Sequence, residues 1–234
     1  MFIDRPPGPS RSRRSDRALL GSAIGLAVAC MAVLVAADLA GVYVPRFTRD
    51  PSTIDGRFGT GAVSLLGTLA WAMSATALGF AGVLRRGHDG APTPASRLLL
   101  GSAAFTLLLC VDDTFAVHEN AEQLGDLAEL TVGLLYVAVA ICWLAWSRPL
   151  ADGSHRLTLV AAGALLSASL AVDTLADGRG IELVGDSTSV AEDALKVGGI
   201  VAYTAWALSV SWFAVRPGAI AAEAPRQPVA SRHG

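Results

Sequence analysis

The chain has 234 residues, of which 53% are hydrophobic and only 16% are charged, and its formal net charge at pH 7 is -2. A soluble domain of this size needs far more polar surface, so the composition excludes a soluble protein and indicates membrane spans. The basic residues form no patch with interleaved aromatic side chains, which excludes nucleic acid as a partner.

Six apolar runs follow one another along the chain, and each has roughly the 20 residues that a helix needs to cross the hydrocarbon. We therefore predict an all-α, polytopic membrane protein with six transmembrane helices over residues 18–216. A disordered basic tail, 1–17, precedes this domain, and a second disordered tail, 217–234, follows it. The predicted spans are 18–44, 61–84, 98–117, 128–146, 157–176 and 190–215.

The distribution of arginine predicts how the spans are oriented. The short connections after the second and fourth spans carry five arginines, whereas the loops 118–127 and 177–189 carry mainly Asp and Glu. Positively charged short loops stay on the cytoplasmic side of a membrane. We therefore predict a multi-pass protein of the cell membrane with both termini in the cytoplasm and with the two acidic loops outside.

The end of the third span carries a cluster of ionisable residues. Asp112 and Asp113 lie inside the apolar run, and His118 and Glu119 follow at its exit. Ionisable groups inside hydrocarbon are costly, so they usually face a bundle interior, a partner or a water-filled cavity. On a helix, Asp113 points about 100° away from Asp112, and His118 lies about 140° further on. One helix cannot bring all four together, so a convergent site needs other helices.

Helices 3-4 and 5-6 carry matching sequence landmarks. Asp113-Thr-Phe-Ala corresponds to Asp173-Thr-Leu-Ala, and a Gly-Asp pair follows each aspartate at the same distance. Further along, Trp143 corresponds to Trp206. These matches predict a duplicated helical hairpin with both copies in the same orientation. We interpret the two tryptophans as residues of the interfacial aromatic belt.

Some of the acids are explained by helix capping. A capping-box pattern places a side-chain acceptor before the first helical turn and a glutamate three residues later. Asp113 and Asp173 have no such explanation, because each lies several residues inside the outer end of its span. The residues that we predict to be structural caps are Asp126, Glu129, Ser189 and Glu192.

The remaining acids define a candidate metal site, with Asp193 and Lys196 of the sixth helix as supporting residues. Carboxylate ligands suit Mg²⁺, Ca²⁺ or Mn²⁺, and a histidine would admit a transition metal, so a divalent cation is the cofactor that this set would bind. In the structural alternative, each acid bonds only a backbone or hydroxyl group of a neighbouring helix. The candidate ligands are Asp112, Asp113, His118, Glu119 and Asp173.

Three functions are compatible with an outward-facing intramembrane acidic site. The leading hypothesis is that the site binds or conducts a cation or protons. An alternative is a metal-dependent enzyme acting on a lipid or polyprenyl substrate at the outer leaflet, where clustered acids hold the metal and act as base. The third is a structural or assembly subunit of a membrane complex. The expected partners are the lipid bilayer and either a second copy of the chain or a partner subunit.

Overall fold

A computed structural model describes residues 9–48, 61–87, 90–115, 126–150, 154–178 and 187–216. These residues form α-helices and no strand, so the prediction of an all-α fold is confirmed for the described part of the chain. The first helix extends back beyond the predicted start of its span. The helices are α1 (Pro9–Leu39), α2 (Pro45–Thr48), α3 (Ala62–Leu84), α4 (Pro94–Phe115), α5 (Asp126–Ser147), α6 (Ser154–Gly178) and α7 (Ser187–Val215), with a 3₁₀ turn (Arg148–Leu150) after α5.

Four of the described helices are long and apolar enough to cross a membrane. They are α3, α4, the His155–Val172 part of α6 and the Val190–Val215 part of α7. Helices α1 and α5 contribute shorter apolar stretches, Ile24–Leu39 and Leu134–Leu150. The chain is therefore a helical membrane protein, and the count of six spans remains a prediction.

The distribution of side chains over the bundle also fits a bilayer. Leu69 and Phe80 are each 64% exposed on the outside of α3, whereas Ser102 and Thr106 of α4 are fully buried. Soluble monomers rarely expose large contiguous apolar patches. In hydrocarbon, by contrast, apolar side chains face lipid, and polar groups must find their partners inside the protein.

Helix α7 is the central helix of the bundle, packing against α1, α3 and α6. Two adjacent glycines let neighbours approach it from two sides. A Cβ atom at Gly198 would lie 2.6 Å from Sδ of Met31 in α1, and one at Gly199 would lie 2.6 Å from Cγ of Leu166 in α6. Small residues of this kind are typical of close helix contacts in membranes.

Hydrogen bonds at the turn between α3 and α4 fix the start of α4. Thr93 Oγ1 accepts a bond from the backbone N–H of Ser96 (3.1 Å), as an N-cap does, and donates to the carbonyl of Arg85 (2.7 Å). Ser96 Oγ donates to the carbonyl of Gly82 (2.6 Å). The first helical residue is Pro94, which has no N–H to leave unpaired. These bonds set the direction of α4 and hence the position of its acidic end.

The tryptophans that were interpreted as belt residues lie in the core, so that interpretation is wrong. Trp143 is 8% exposed and Trp206 is fully buried, and their rings meet edge to face with centroids 5.6 Å apart. Trp71 and Tyr203 extend the same cluster. The indole N–H of Trp143 donates to Ser102 Oγ (3.1 Å). For Trp143 this bond satisfies the indole N–H, so burial gains a large contact area without an unmet donor. For Trp206, whose indole N–H has no hydrogen-bond partner among the described residues, the ring contacts alone favour the core.

The two hairpins that the sequence predicts to be copies pack differently. Helices α6 and α7 pack closely, whereas α4 and α5 make few contacts and leave a groove between them. The matched tryptophans, Trp143 and Trp206, nevertheless contact each other. The duplication remains a prediction.

We expect Gly199→Val to lower the free energy of unfolding by about 1–3 kcal/mol, because the added methyl groups would overpack the contact with Leu166. The matched control is Gly163→Val in α6, where nothing lies within 4 Å of an added Cβ, and its effect should stay within about 0.5 kcal/mol. Denaturant or thermal unfolding of both variants in the same detergent checks this. Equal losses would show that the α6–α7 contact is not tight at Gly199.

Candidate functional site

One face of α4 is polar along most of the helix. Ser102, Thr106, Cys110 and Asp113 follow one another at intervals that bring successive residues to the same side. The first three are buried, and the Asp113 side chain is 9% exposed. This face turns towards α3 and α7, as the following contacts show, so the interior of the bundle contains a column of polar groups.

Asp113 is held in an ion pair at the end of this column. Lys196 Nζ of α7 lies 3.0 Å from Asp113 Oδ1, and the two side chains are 39% and 9% exposed, respectively. Gly67 of α3 lies beside the pair: a Cβ atom there would be in ordinary contact with Asp113 Oδ2 (3.6 Å) and in tight contact with Cδ1 of Ile200 (3.3 Å). The carboxylate is the buried member, so removing Lys196 would leave a buried charge without its partner.

The side chain of Asp112 contacts α5. Asp112 is 9% exposed, and its Oδ1 accepts a hydrogen bond of 2.8 Å from the phenol of Tyr136 in α5. Consecutive helical residues point about 100° apart. The adjacent carboxylates of Asp112 and Asp113 therefore bind separate neighbours, Tyr136 and Lys196, and connect α4 to α5 and to α7.

Lys196 also interacts with a second carboxylate, on its own helix. Asp193 precedes it by three residues, a spacing that places the two side chains on neighbouring positions of the helix surface, and the charge of Lys196 acts on this carboxyl group. The hydroxyl of Thr48 in α2 forms a hydrogen bond with Asp193. The ammonium is therefore paired with an acid on α4 and lies within electrostatic reach of another on α7.

Hydroxyl groups continue the polar column away from the ion pair. Cys110 Sγ lies 3.7 Å from the carbonyl of Thr68 in α3. One turn further, Thr106 Oγ1 lies 2.6 Å from the phenol oxygen of Tyr203, and it also donates to the carbonyl of Ser102 (2.7 Å). Each hydroxyl can donate one bond and accept others, so these groups can form connected chains.

The structure describes only part of the predicted metal set. Asp112 and Asp113 have the contacts given above, whereas His118 and Glu119 lie outside the described residues. Asp173 is described only as part of the backbone of α6. Among the side chains that are described, no group of three or more His, Cys, Asp or Glu is placed to hold a metal ion. The five-residue metal site therefore stays a prediction.

The predicted caps also remain predictions, because the side chains of the first turns of α5 and α7 lie outside the description. Helix α5 begins at Asp126, the first residue of one predicted cap. Helix α7 begins at Ser187, two residues before the predicted cap residue Ser189. The backbone carbonyl of Glu192 accepts a hydrogen bond from Ser169 Oγ of α6 (3.1 Å), which joins α6 to the start of α7.

Sequence reasoning missed Tyr136 and Thr48 as members of the site. A signal for Tyr136 is present, because its phenol stands inside the apolar run of α5 and a buried phenol needs a hydrogen-bond partner. Thr48 gives no such signal, since it lies in the polar connection after the first span. Its role depends on how α2 folds back onto α7.

We expect Lys196→Met to destabilise the protein by about 1–3 kcal/mol, because it leaves the Asp113 carboxylate without its ammonium partner. Adding Asp113→Asn should recover part of that loss, since the double variant no longer contains the uncompensated charge. A double-mutant cycle from unfolding curves measures the coupling, and Lys196→Arg, which keeps the charge, serves as control. Additive losses would mean that the pair contributes nothing to stability.

Comparison with known proteins relates the whole bundle to a family. A family model described as "Domain of unknown function (DUF8692)" matches residues 11–210. The match begins in the first turn of α1 and ends in the last third of α7, so it includes the ion pair and all the helices between. No curated protein and no solved structure matches the chain.

Proposed function

The chain belongs to the DUF8692 family, and we propose that it is an integral membrane protein that binds and conducts protons at an intramembrane acidic site. The observation that carries this proposal is the ion pair of 3.0 Å between Lys196 and Asp113, inside two helices long enough to span a membrane. Binding of a metal cation by the same acids is the second version of the proposal, and the experiment below separates the two.

The chemistry follows from the cost of a charge in hydrocarbon. A carboxylate there must be neutralised by a proton, by a bound cation or by an ammonium group. Lys196 neutralises Asp113 in this arrangement. A proton that reaches Asp113 converts the carboxylate to a neutral acid, which breaks the pair and releases the ammonium. The released ammonium can then remain beside Asp193, so it need not leave the site unpaired.

The exposure of the two partners supports exchange from one side. The Lys196 side chain is 39% exposed, whereas that of Asp113 is 9% exposed. The flexible stem of a lysine can carry its ammonium towards water while the carboxylate stays in place. Movement of Lys196 would therefore open Asp113 to an ion arriving from the end of the bundle where α4 ends.

The hydroxyl column supports conduction beyond the ion pair. Thr106, Tyr203 and Ser102 continue from the acidic end towards the other end of α4. Such groups can pass a proton because each both donates and accepts hydrogen bonds. The next residue on this face of α4 is the fully buried Leu99, which lies in the same apolar cluster as Leu78. We assign these leucines the role of a closed hydrophobic gate.

We also propose that the protein has the membrane topology that its sequence predicts. Six crossings place both termini in the cytoplasm of a cell membrane and the acidic end of the bundle outside. Two observations support this: α1 and α5 contain apolar stretches of their own, and arginines lie between α3 and α4 (Arg85 and Arg86) and in the first turn of α4 (Arg97). In a duplicated hairpin, Asp173 lies in the same layer as Asp113.

We expect vesicles that contain the purified protein to dissipate an imposed pH gradient faster than protein-free vesicles. Asp113→Asn should lower the rate to the protein-free background, because asparagine keeps the shape but cannot take up a proton. The matched control is Asp38→Asn, which removes an acid near the end of α1 without touching the described contacts of the ion pair. A pH-sensitive dye trapped inside the vesicles gives the rate.

Thermal unfolding of the same proteins with Mg²⁺, Ca²⁺, Mn²⁺ or Zn²⁺, at pH 5.5 and pH 8, separates the two versions. Stabilisation by a metal at pH 8 that is lost in Asp113→Asn, without proton flux, would support a metal site, because metal and protons compete for carboxylates. Vesicles without flux and a protein indifferent to every ion would contradict both versions and favour an assembly role.

Cysteine labelling in intact cells tests the topology. In a variant whose native cysteines are replaced, we expect Ala121→Cys, in the predicted outer loop, to react with an impermeant thiol reagent. Ala91→Cys, in the turn between α3 and α4, should react only after the cells are opened. The reverse pattern would place the acidic end of the bundle in the cytoplasm.

A further inference from the structure

The lipid-facing side of the bundle contains a groove between α4 and α5 with a cavity volume of about 690 Å³. It extends along α4 from Gly101 to Leu108, about 10 Å of helix. Its volume lies within the range of about 300–1,000 Å³ that is usual for small-molecule sites. Gly101 precedes Asp113 by twelve residues, so the groove begins about 18 Å from the acidic site, towards the opposite end of the bundle.

Aromatic rings form a firm wall on one side of the groove. Phe105 of α4 and Trp143 of α5 stack with centroids 4.4 Å apart and planes 11° from parallel. The indole of Trp143 is anchored by its hydrogen bond to Ser102 Oγ. At the end of the groove the ring of Trp146 covers Gly101, where any Cβ atom would overlap it. The groove is therefore built into the packing of the two helices.

The chemistry of the lining selects an aliphatic occupant. The lining residues are apolar or aromatic, including Leu108 and Ala138, and the groove is open along its length. Apolar walls that face a gap lose their dispersion contacts, so a groove at this depth of a bilayer is filled by hydrocarbon. A single acyl chain fits the shape, because it is long, narrow and flexible.

Two arginines stand at the end of the groove that Gly101 and Trp146 define. Arg97 precedes Gly101 by four residues, so it lies on the same face of α4 about 6 Å nearer the end of the helix. Arg148 follows Trp146 by two residues, in the 3₁₀ turn after α5. Both are exposed, and among the described residues no carboxylate forms a salt bridge with either guanidinium.

We propose that the α4–α5 groove binds an anionic phospholipid, with one acyl chain against the aromatic wall and the phosphate between Arg97 and Arg148. Guanidinium groups bind phosphate oxygens in a bidentate geometry, and basic pockets between membrane helices recognise anionic headgroups. The site lies at the opposite end of the bundle from the ion pair and does not depend on the proposed function. With the orientation predicted from arginine, the lipid comes from the cytoplasmic leaflet.

Native mass spectrometry of the full chain, equilibrated with equimolar phosphatidylglycerol and phosphatidylcholine, tests this. We expect one retained phosphatidylglycerol per chain and at least about tenfold preference over phosphatidylcholine. Arg97→Gln combined with Arg148→Gln should bring the ratio close to one, because both phosphate contacts are lost. The matched control combines Arg86→Gln and Arg156→Gln, exposed arginines at the ends of α3 and α6, and should keep the preference.

A second variant tests the acyl-chain half of the site. Ala138→Trp fills the groove from the α5 wall, so it should reduce retention of both lipids several-fold while unfolding at a temperature close to that of the parent. Equal retention of the two lipids by the parent, or equal losses in the arginine pair and its control, would overturn the proposal. So would a dimer without lipid, since a second copy would then occupy the groove.

Discussion

The ion pair between Asp113 and Lys196 is the interaction on which the acidic end of the bundle depends. It joins the α3–α4 hairpin to the α6–α7 hairpin and pairs a buried carboxylate with a partly exposed ammonium. When two charges are removed from water, their mutual attraction offsets the lost free energy of hydration only if the geometry of the pair is good. Gly67 of α3 lies beside the Asp113 carboxylate and packs closely against Ile200 of α7.

The same constraint explains the hydroxyl groups of the interior. In a bilayer the outer surface of a helix gains nothing from polar side chains, so they turn inwards and bond one another. Ser74 and Thr204 illustrate this, since their hydroxyls lie 3.2 Å apart between α3 and α7. Such bonds hold the helices together, and the proposed conduction would use hydroxyl groups of the same kind.

Helix α5 stands apart from the rest of the bundle. Two hydrogen bonds attach α5 to α4. Tyr136 donates to Asp112, and Trp143 donates to Ser102 two turns further along. Between and beyond these attachments it leaves the groove open to lipid. The bundle therefore presents two chemically distinct ends: carboxylates around Lys196 at one, and arginines beside an apolar groove at the other.

Local patterns in the sequence were enough to predict the helical class, the positions of the long apolar helices and the concentration of acids near the end of α4. These properties are local, because hydrophobic length and helical period can be counted along one segment. The helical period also showed that Asp112 and Asp113 point about 100° apart, and Lys196 and Asp193 were identified as candidate supporting residues. Which residue each acid contacts became clear only from the packing of the helices.

The choice of neighbour depends on which helices pack side by side, and no local pattern encodes that. Lys196 has an acid at favourable spacing on its own helix, Asp193, yet its ammonium also reaches Asp113 across the bundle. Tyr136 belongs to the site because α5 packs beside α4 at the level of Asp112. Trp143 and Trp206 were misplaced for the same reason, because no local pattern shows that their rings pack against each other in the interior.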